Sequence, residues 1–505
     1  MLAATESKRR MPALIVALIS AAASTIGLTD AKADEKVAEP KRPNVLFIIA
    51  DDLTATALSC YGNTVCKTPN IDRLAASGTR FTRAYCNATY CGPSRASFLS
   101  GYYPHATGVF GYVSPRPEIG ERATWPQHFK NAGYHTARVS KIYHMGVPGG
   151  IEYGSKSPGY NEGNGADDPI SWTERFNSPG PEWMAKGTGE RLEGNPDGTK
   201  PVVGNNTFVV VESDEDDAAH SDGKTAAKAV ELIGAASKRS APFFLAVGFV
   251  RPHVPFVAPR RYFEPYLPYD KLALPPKVTG DWDDIPKPGI NYKTSANMQM
   301  DLRRQRKALG GYYASVAFLD AQVGRVLDAL EASGKADDTI VIFTSDHGYH
   351  LGEHDFWAKV SLHEESAKVP LIIRVPTKKP AVCDSFVELL DLYPTTASLC
   401  GLDVPTRLQG KNIAPMFDDP KAQVRDTIFC TAPSSKGLLL RDDRHSFIQY
   451  GEDAAGGREL YDLTIDPHQL TNLASKSEHA EIVAKFTVEL AAKLRDVRTN
   501  DLPKK

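Results

Sequence analysis

Cysteine is scarce in this chain, with 7 among 505 residues. That is too few to staple a scaffold of such length, so a hydrophobic core must carry the fold. A surplus of one charge is also missing. Lys and Arg total 59 against 61 Asp and Glu, a formal charge of −2. Without a basic excess, neither a nucleic acid nor an acidic membrane surface is expected as a partner. Internal repeats and low-complexity tracts are lacking, which argues against collagen-like and coiled-coil architectures. With 42% hydrophobic and 24% charged residues, the composition is that of an ordinary globular chain rather than a disordered one. The cysteine count is odd, so at least one thiol is free, intermolecular or chemically special.

Long apolar runs are confined to one place. Lys8, Arg9 and Arg10 precede the stretch from Pro12 to Leu28, and small residues then frame Ala31-Lys32-Ala33 before Asp34. This is the order of a secretory signal peptide, residues 1–33, cleaved after Ala33. No other run reaches the ~18 apolar residues of a membrane span. The mature protein is therefore expected to be exported, periplasmic or secreted, with no stable membrane association after cleavage.

Beyond a polar lead-in, Asn44–Ala50 is a continuous apolar, β-branched run, the pattern of a strand buried on both faces. Similar runs recur at His135–Ser140, Pro242–Val250, Thr339–Thr344 and Val369–Val375. Helical patterns fall at Pro69–Ser77, Thr124–Ala132, Lys224–Arg239 and Arg306–Ala332. Alternation of this kind predicts an α/β fold, a large, mostly parallel sheet sandwiched by helices, over residues 34–420. Two stretches rich in Pro, Gly and polar residues, 146–210 and 255–300, interrupt it as long functional loops. Residues 421–505 change to short strands and one helix at 478–497, a small C-terminal α+β subdomain with an antiparallel sheet.

Asp51 and Asp52 follow the first strand directly, and Ser345-Asp346-His347-Gly348 repeats the arrangement after Thr339–Thr344. Ligands of open α/β sheets bind at the carboxyl ends of strands. Adjacent carboxylates there repel one another, and a divalent cation relieves the repulsion. The carboxylates favour Ca²⁺ or Mg²⁺, while the imidazole leaves Mn²⁺ or Zn²⁺ open. Between these ends lies CGPSRASFLSG, Cys91–Gly101. Pro93 fits a first helical turn and Gly101 a helix end, which puts Cys91 at a helix N-terminus. Such a place binds anions and lowers a thiol pKa, and Arg95 adds a permanent charge. The alternative for a cysteine of an exported protein is a disulfide. Cys60 and Cys66, flanking a Gly-Asn turn, are the easiest pair to imagine.

The C-x-P-S-R segment ending in L-S-G resembles the sulfatase signature, whose cysteine is oxidised to formylglycine. NVLFIIADDL, PNIDRLAASGTRFTRAY, SDHGYHLGEHDFWAK and RELYDLTIDPHQLTNLA are similar to further blocks of that family, in its order. The match spans residues 44–475, and Lys141-Ile142-Tyr143-His144 and FFLAVGFVRPHVPF look most like its iduronate-2-sulfatase branch. The resemblance implies an alkaline phosphatase/sulfatase-like fold and hydrolysis of a sulfate ester on a sugar, as in glycosaminoglycan degradation. It implies a formylglycine-generating enzyme as partner and a sulfated saccharide as substrate. Cys91, as the hydrated formylglycine, would attack sulfur with one hydroxyl and expel sulfate with the help of the other. Asp51, Asp52, Asp346, His347 and the modified Cys91 would hold Ca²⁺. Arg95 would orient the formylglycine, while Lys141, Lys359 and His253 would bind sulfate oxygens or protonate the leaving oxygen. His144 would sit against the nucleophile as base or hydrogen-bond partner. Competing readings are a sulfatase of another polysaccharide, such as an algal one, a phosphoester hydrolase, and a non-catalytic glycan-binding protein.

Overall fold

In the computed structural model, which describes residues 42–146, 165–194 and 207–503, the run NVLFIIAD forms a central strand, β1 (Asn44–Asp51), buried along its whole length. The signal peptide expected at 1–33 lies outside the described residues, as does much of the first long loop. The other strands of the large sheet are, in chain order, β2 (Thr79–Tyr85), β3 (His135–Ser140), β4 (Glu174–Phe176), β5 (Phe243–Pro252), β6 (Thr339–Ser345), β7 (Lys368–Arg374), β8 (Ala381–Cys383) and β9 (Val387–Glu388). Their spatial order is β8-β2-β7-β6-β1-β5-β3-β4, and β9 also pairs with β2. β1 runs parallel to β5, with Val45 opposite Phe244, and parallel to β6, with Asn44 opposite Thr339.

A strand that is apolar on both faces needs cover on both. Leu46, Ile48 and Ala50 point into one core, shared with α3 (Ser221–Ala236) and α4 (Leu302–Ala332). Val45, Phe47 and Ile49 point into the other, against Phe98 and Trp125. The shorter helices begin and end where their sequences require. α1 (Pro69–Ser77) stops at Gly78, where a Cβ would stand 2.9 Å from the Ile373 carbonyl oxygen. The helix Trp125–Asn131 is closed by a capping box between Thr124 and Gln127. α2 (Cys91–Ser100) ends on Gly101 at φ 84°, a left-handed position that suits glycine.

The expected fold class is the one observed, with one correction of direction. The run at Val369–Val375 falls on β7, which lies antiparallel to both its neighbours, β6 and β2. Periodicity reports burial but not strand direction, which the connections set. β2 itself, with its half-polar TRFTRAY, carried no buried-strand pattern. Within the second long loop, Phe256–Pro259 is a strand that joins Gly187–Arg191 and Val209–Ser213 in a separate small sheet. At the C-terminus β10 (Ile428–Ala432), β11 (Gly437–Arg441), β12 (His445–Tyr450) and β13 (Arg458–Asp462) form an antiparallel meander. The helix α5 (Ala480–Arg498) buries Phe486 and Leu490 against Phe429 and Leu438 of this meander. The meander is stitched to the segment before α2, since Thr89 N–H donates to the Thr431 carbonyl at 3.0 Å and Thr431 N–H to that of Asn87 at 3.2 Å. Cys60 and Cys66 are not bonded to each other, whereas the sulfurs of Cys86 and Cys430 come within 3.8 Å.

Asp320 of α4 accepts the N–H groups of Asn70 and Ile71 at 3.1 and 2.8 Å, capping α1 from across the core. Burial nonetheless pushes its carboxyl up to about 6. A raised carboxyl pKa favours the protonated folded state, so this stabilisation is complete below the unfolded pKa of about 4 and is lost as pH rises through 6. Relative to the parent, Asp320→Asn should therefore gain about 3 kcal/mol between pH 4 and 7. Urea unfolding at three pH values would show the parent-minus-variant stability falling by about that amount from pH 4 to 7; a constant difference would refute it.

Candidate active site

Pairing of β1 with β6 brings their carboxyl ends together, so Asp51, Asp52 and Asp346 share one fully buried space. Buried carboxylates persist only when paired and hydrogen-bonded. Arg95 from the first turn of α2 meets this need. Its Nε lies 2.9 Å from Asp346 Oδ2 and its Nη2 3.2 Å from Asp51 Oδ1. Its remaining nitrogen donates to the carbonyls of Lys141 and Ile142 at 2.6 and 3.1 Å. Lys141 Nζ binds the other oxygen of Asp51. Lys359 Nζ lies 2.6 Å from Asp52 Oδ1 and 3.2 Å from Cys91 Sγ. Burial raises the Asp51 pKa, but Lys141, His253, Arg95 and Lys359 outweigh it and hold the group well below the usual range. Burial alone would lower both lysines, yet Asp51 keeps Lys141 raised and Asp52 keeps Lys359 raised, so both are cations.

Cys91 opens α2, where the residue pattern placed it, and its sulfur lies 3.2 Å from His347 Nε2 and 3.8 Å from Asp52 Oδ1. The lowered thiol pKa expected of a helix N-terminus is not found. Complete burial, followed by the charges of Asp51, Asp346 and Asp52, outweighs Lys359 and pushes the thiol well above its ordinary value. An unmodified Cys91 is thus a neutral thiol and a poor nucleophile.

The donor set suits a cation. Asp52–Cys91–His347 and Asp51–Cys91–Asp346 each have donor atoms within 4.8 Å of one another. Asp52 Oδ2 is buried and accepts no hydrogen bond among the described residues. His347 Nδ1 faces the Gly348 carbonyl at 2.8 Å, and a carbonyl only accepts, so Nδ1 carries the proton. Its Nε2 lone pair then points among Cys91 Sγ, Asp52 Oδ1 at 3.3 Å and Asp346 Oδ2 at 3.7 Å. A metal-ligating histidine is oriented in this way. His253 repeats the pattern at the rim, with Nδ1 2.6 Å from the Val254 carbonyl and Nε2 3.8 Å from Asp52 Oδ2. Burial takes its pKa down to about 4, and burial also drives that of His144 well below normal, so both rings are neutral near pH 7.

Every residue singled out from sequence for chemistry lies in or against this cluster. Arg251, at the end of β5, is buried and ion-paired with Glu182. It also donates to the His253 carbonyl at 3.0 Å, which fixes the turn that carries that ring. Glu353 caps Leu351 N–H at 2.6 Å, and His354 pairs with Asp281 at 3.0 Å; neither enters the donor set. Residues without a sequence signal join the site. Tyr112 stacks on His144 with centroids 3.7 Å apart and, on its other side, on Tyr90 at 4.7 Å. Tyr312 donates to the Asp52 carbonyl at 2.7 Å and accepts Thr54 N–H at 2.9 Å. Tyr312 lies inside an α4 pattern that reads as ordinary core, and Tyr112 inside a loop without periodicity.

Cations converging beside a nucleophile position and a cation site suit an ester whose acid half is a tetrahedral anion. The chain belongs to the sulfatase family, whose model matches residues 43–402, and a model described as N-sulphoglucosamine sulphohydrolase, C-terminal, matches residues 352–497. It is a sulfatase, an enzyme that hydrolyses sulfate esters. Among its relatives, a sulfatase of Formosa agariphila is 34% identical over 89% of this chain and 87% of that protein. Iduronate 2-sulfatase of Homo sapiens is 33% identical over 72% of this chain and 70% of that protein. The solved phosphonate monoester hydrolase of Silicibacter pomeroyi superposes with a TM-score of 0.73 over 90% of this chain and 96% of that one; at 21% identity this is a likeness of fold.

Arg95 carries the cluster electrostatically. Arg95→Met leaves Asp51 and Asp346 short of a buried partner and should cost ~3–5 kcal/mol in urea unfolding, with Arg95→Lys intermediate. Equal stability of parent and Arg95→Met would contradict this.

Proposed function

We propose that this sulfatase removes a sulfate ester from a sugar, using a formylglycine made from Cys91 and one divalent cation, Ca²⁺ by resemblance. The observation that carries the reading is the neutral, buried Cys91 thiol, flanked by Lys359 and by His347 Nε2. As cysteine this position cannot supply an anion near pH 7. An aldehyde made from it would supply a hydrate oxygen in the same place. Asp51, Asp52, Asp346 and His347 would hold the cation, which when bound offers positive charge to an ester oxygen and to the nucleophile.

The protein's own groups divide the remaining work by charge. Lys141 and Lys359, held as cations, bind sulfate oxygens and are the resident proton donors. His144 and His253, held neutral, are the resident acceptors. Nδ1 of His253 is committed to the Val254 carbonyl, so its proton is exchanged at Nε2. With its side chain 17% exposed, His253 stands at the mouth, where a leaving alcohol departs. His144, stacked on Tyr112, would sit against the nucleophile. Arg95 holds the carboxylates apart and in register.

For the sugar we propose a 2-sulfated uronate, supported by the identity to iduronate 2-sulfatase over most of the chain. The N-terminal segment supports export. The modification is tested by mass spectrometry of the Cys91 peptide from natively expressed protein, where formylglycine is expected and plain cysteine would sink the mechanism. Chelation should abolish turnover and Ca²⁺ restore it. A panel of sulfated disaccharides, with a phosphate monoester as control, tests the substrate. Release of sulfate from another sugar with 2-sulfated iduronate untouched would overturn the uronate assignment.

A further inference from the structure

Just past Lys359, Val360 and Ser361 line an open groove of about 460 Å³ together with Lys287, Tyr292 and Lys436. The groove is joined to the catalytic centre. Asn291 Nδ2 donates to the Lys359 carbonyl at 3.0 Å, and the Tyr292 hydroxyl feels the charges of Lys359, Asp52 and Cys91. Through Pro288, Lys436 and Tyr450, which line both, it continues into a recess of about 990 Å³ bounded by Phe110, His105 and Arg498. Each part has the volume of a whole small-molecule site, ~300–1,000 Å³. A single sulfated sugar at Cys91 would leave both unfilled.

The lining has the chemistry of an anionic saccharide site. Phe110 and Tyr292 are 39% and 45% exposed, large aromatic surfaces that water would not favour leaving bare. Lys287 and Lys436 are exposed and in no ion pair among the described residues. The other charges are largely spent: Arg498 binds Glu452, Asp453 caps Ala455 N–H at 3.0 Å, and burial takes His105 down to about 4. Lys436 also sits at φ 54°, closing the turn from Pro433, where glycine would be free of strain.

We infer that this groove binds the sugar units adjoining the one that loses its sulfate, Lys287 and Lys436 pairing with their carboxylate or sulfate groups and Tyr292 and Phe110 stacking on their ring faces. This rests on the saccharide reading above and extends it: the enzyme is built for an anionic oligosaccharide rather than a free monosaccharide. The partners on the protein side are two exposed lysines, so binding there weakens with salt.

The test uses full-length Cys91→Ala protein, which binds without turnover, and calorimetry with heparin-derived disaccharide and tetrasaccharide carrying 2-sulfated uronate. In the Cys91→Ala background the tetrasaccharide should bind at least tenfold more tightly than the disaccharide. Adding Lys287→Gln with Lys436→Gln, or Phe110→Ala, should remove most of that advantage, with a smaller loss for the disaccharide, which has only one adjoining unit. Equal affinity for the two lengths, or an advantage that survives the double substitution, would overturn the inference. Failure of the saccharide reading has a different signature: active enzyme then releases sulfate from a small aryl sulfate and from neither heparin fragment.

Discussion

Three buried carboxylates at the ends of two strands are the condition around which this molecule is arranged. Asp51, Asp52 and Asp346 are fully buried, and uncompensated burial of even one such charge would cost more than a typical domain's entire stability. Their partners come from far apart in sequence: Arg95 from α2, Lys141 from the end of β3, and Lys359 from the turn after Trp357–Ala358. The parallel register of β1 with β6 and of β5 with β3 delivers these segments to one edge. Arg95 alone spans both acidic strands and two carbonyls. A lysine, a point charge with no planar fork, could not make that set of bonds.

The same corner stores backbone strain. Asp52 has φ 64°, Ser140, just before Lys141, has φ 64°, and Lys359 is flanked by Ala358 at 69° and Val360 at 89°. Left-handed conformations in non-glycine residues cost of order 1–3 kcal/mol each, and a β-branched valine is among the least tolerant. Such strain persists where ion pairs and packing over-determine the chain. Here those restraints are Lys359 on Asp52, Lys141 on Asp51, and the Tyr312 hydroxyl holding Asp52 and Thr54. The strained turns present Asp52 and Lys359 to Cys91 and Lys141 to Asp51, so the local cost is exchanged for fixed geometry at the reacting centre.

Which parts were legible in the sequence follows from how local their causes are. The strand at Asn44–Ala50, the α1 stop at Gly78, the Thr124 cap and the α2 start at Cys91 are encoded within a few residues, and the structure has them. The metal-type donors were readable because strand ends gather at one edge in this class of sheet. Properties created by distant neighbours were not readable. The antiparallel run of β7 depends on its connections. The raised Cys91 thiol depends on complete burial and on three carboxylates from other segments, which together defeat the helix terminus. The pairing of Arg251 with Glu182 depends on a long and irregular segment that brings the carboxylate against it. Tyr112 and Tyr292 occupy loops whose sequences carry no period, and only the fold turns them toward His144 and Lys359.

The charge balance of the cluster connects structure to substrate. Asp51, Asp52 and Asp346 stand against Arg95, Lys141 and Lys359, with His144 and His253 held neutral. The protein's own charges therefore cancel, which makes the cluster tolerable to bury. A divalent cation bound there would tip the corner positive, and only an anion would restore neutrality. Recognition of the ester's acid half thus follows from the condition that permits the cluster to exist. The alcohol half meets no such constraint at Cys91. Its selection must lie with surfaces outside the cluster, where Tyr292, Lys287 and Lys436 line the way out. A chain with a formal charge of only −2 can in this way be strongly selective for anions, because selectivity resides in a few desolvated groups rather than in net charge.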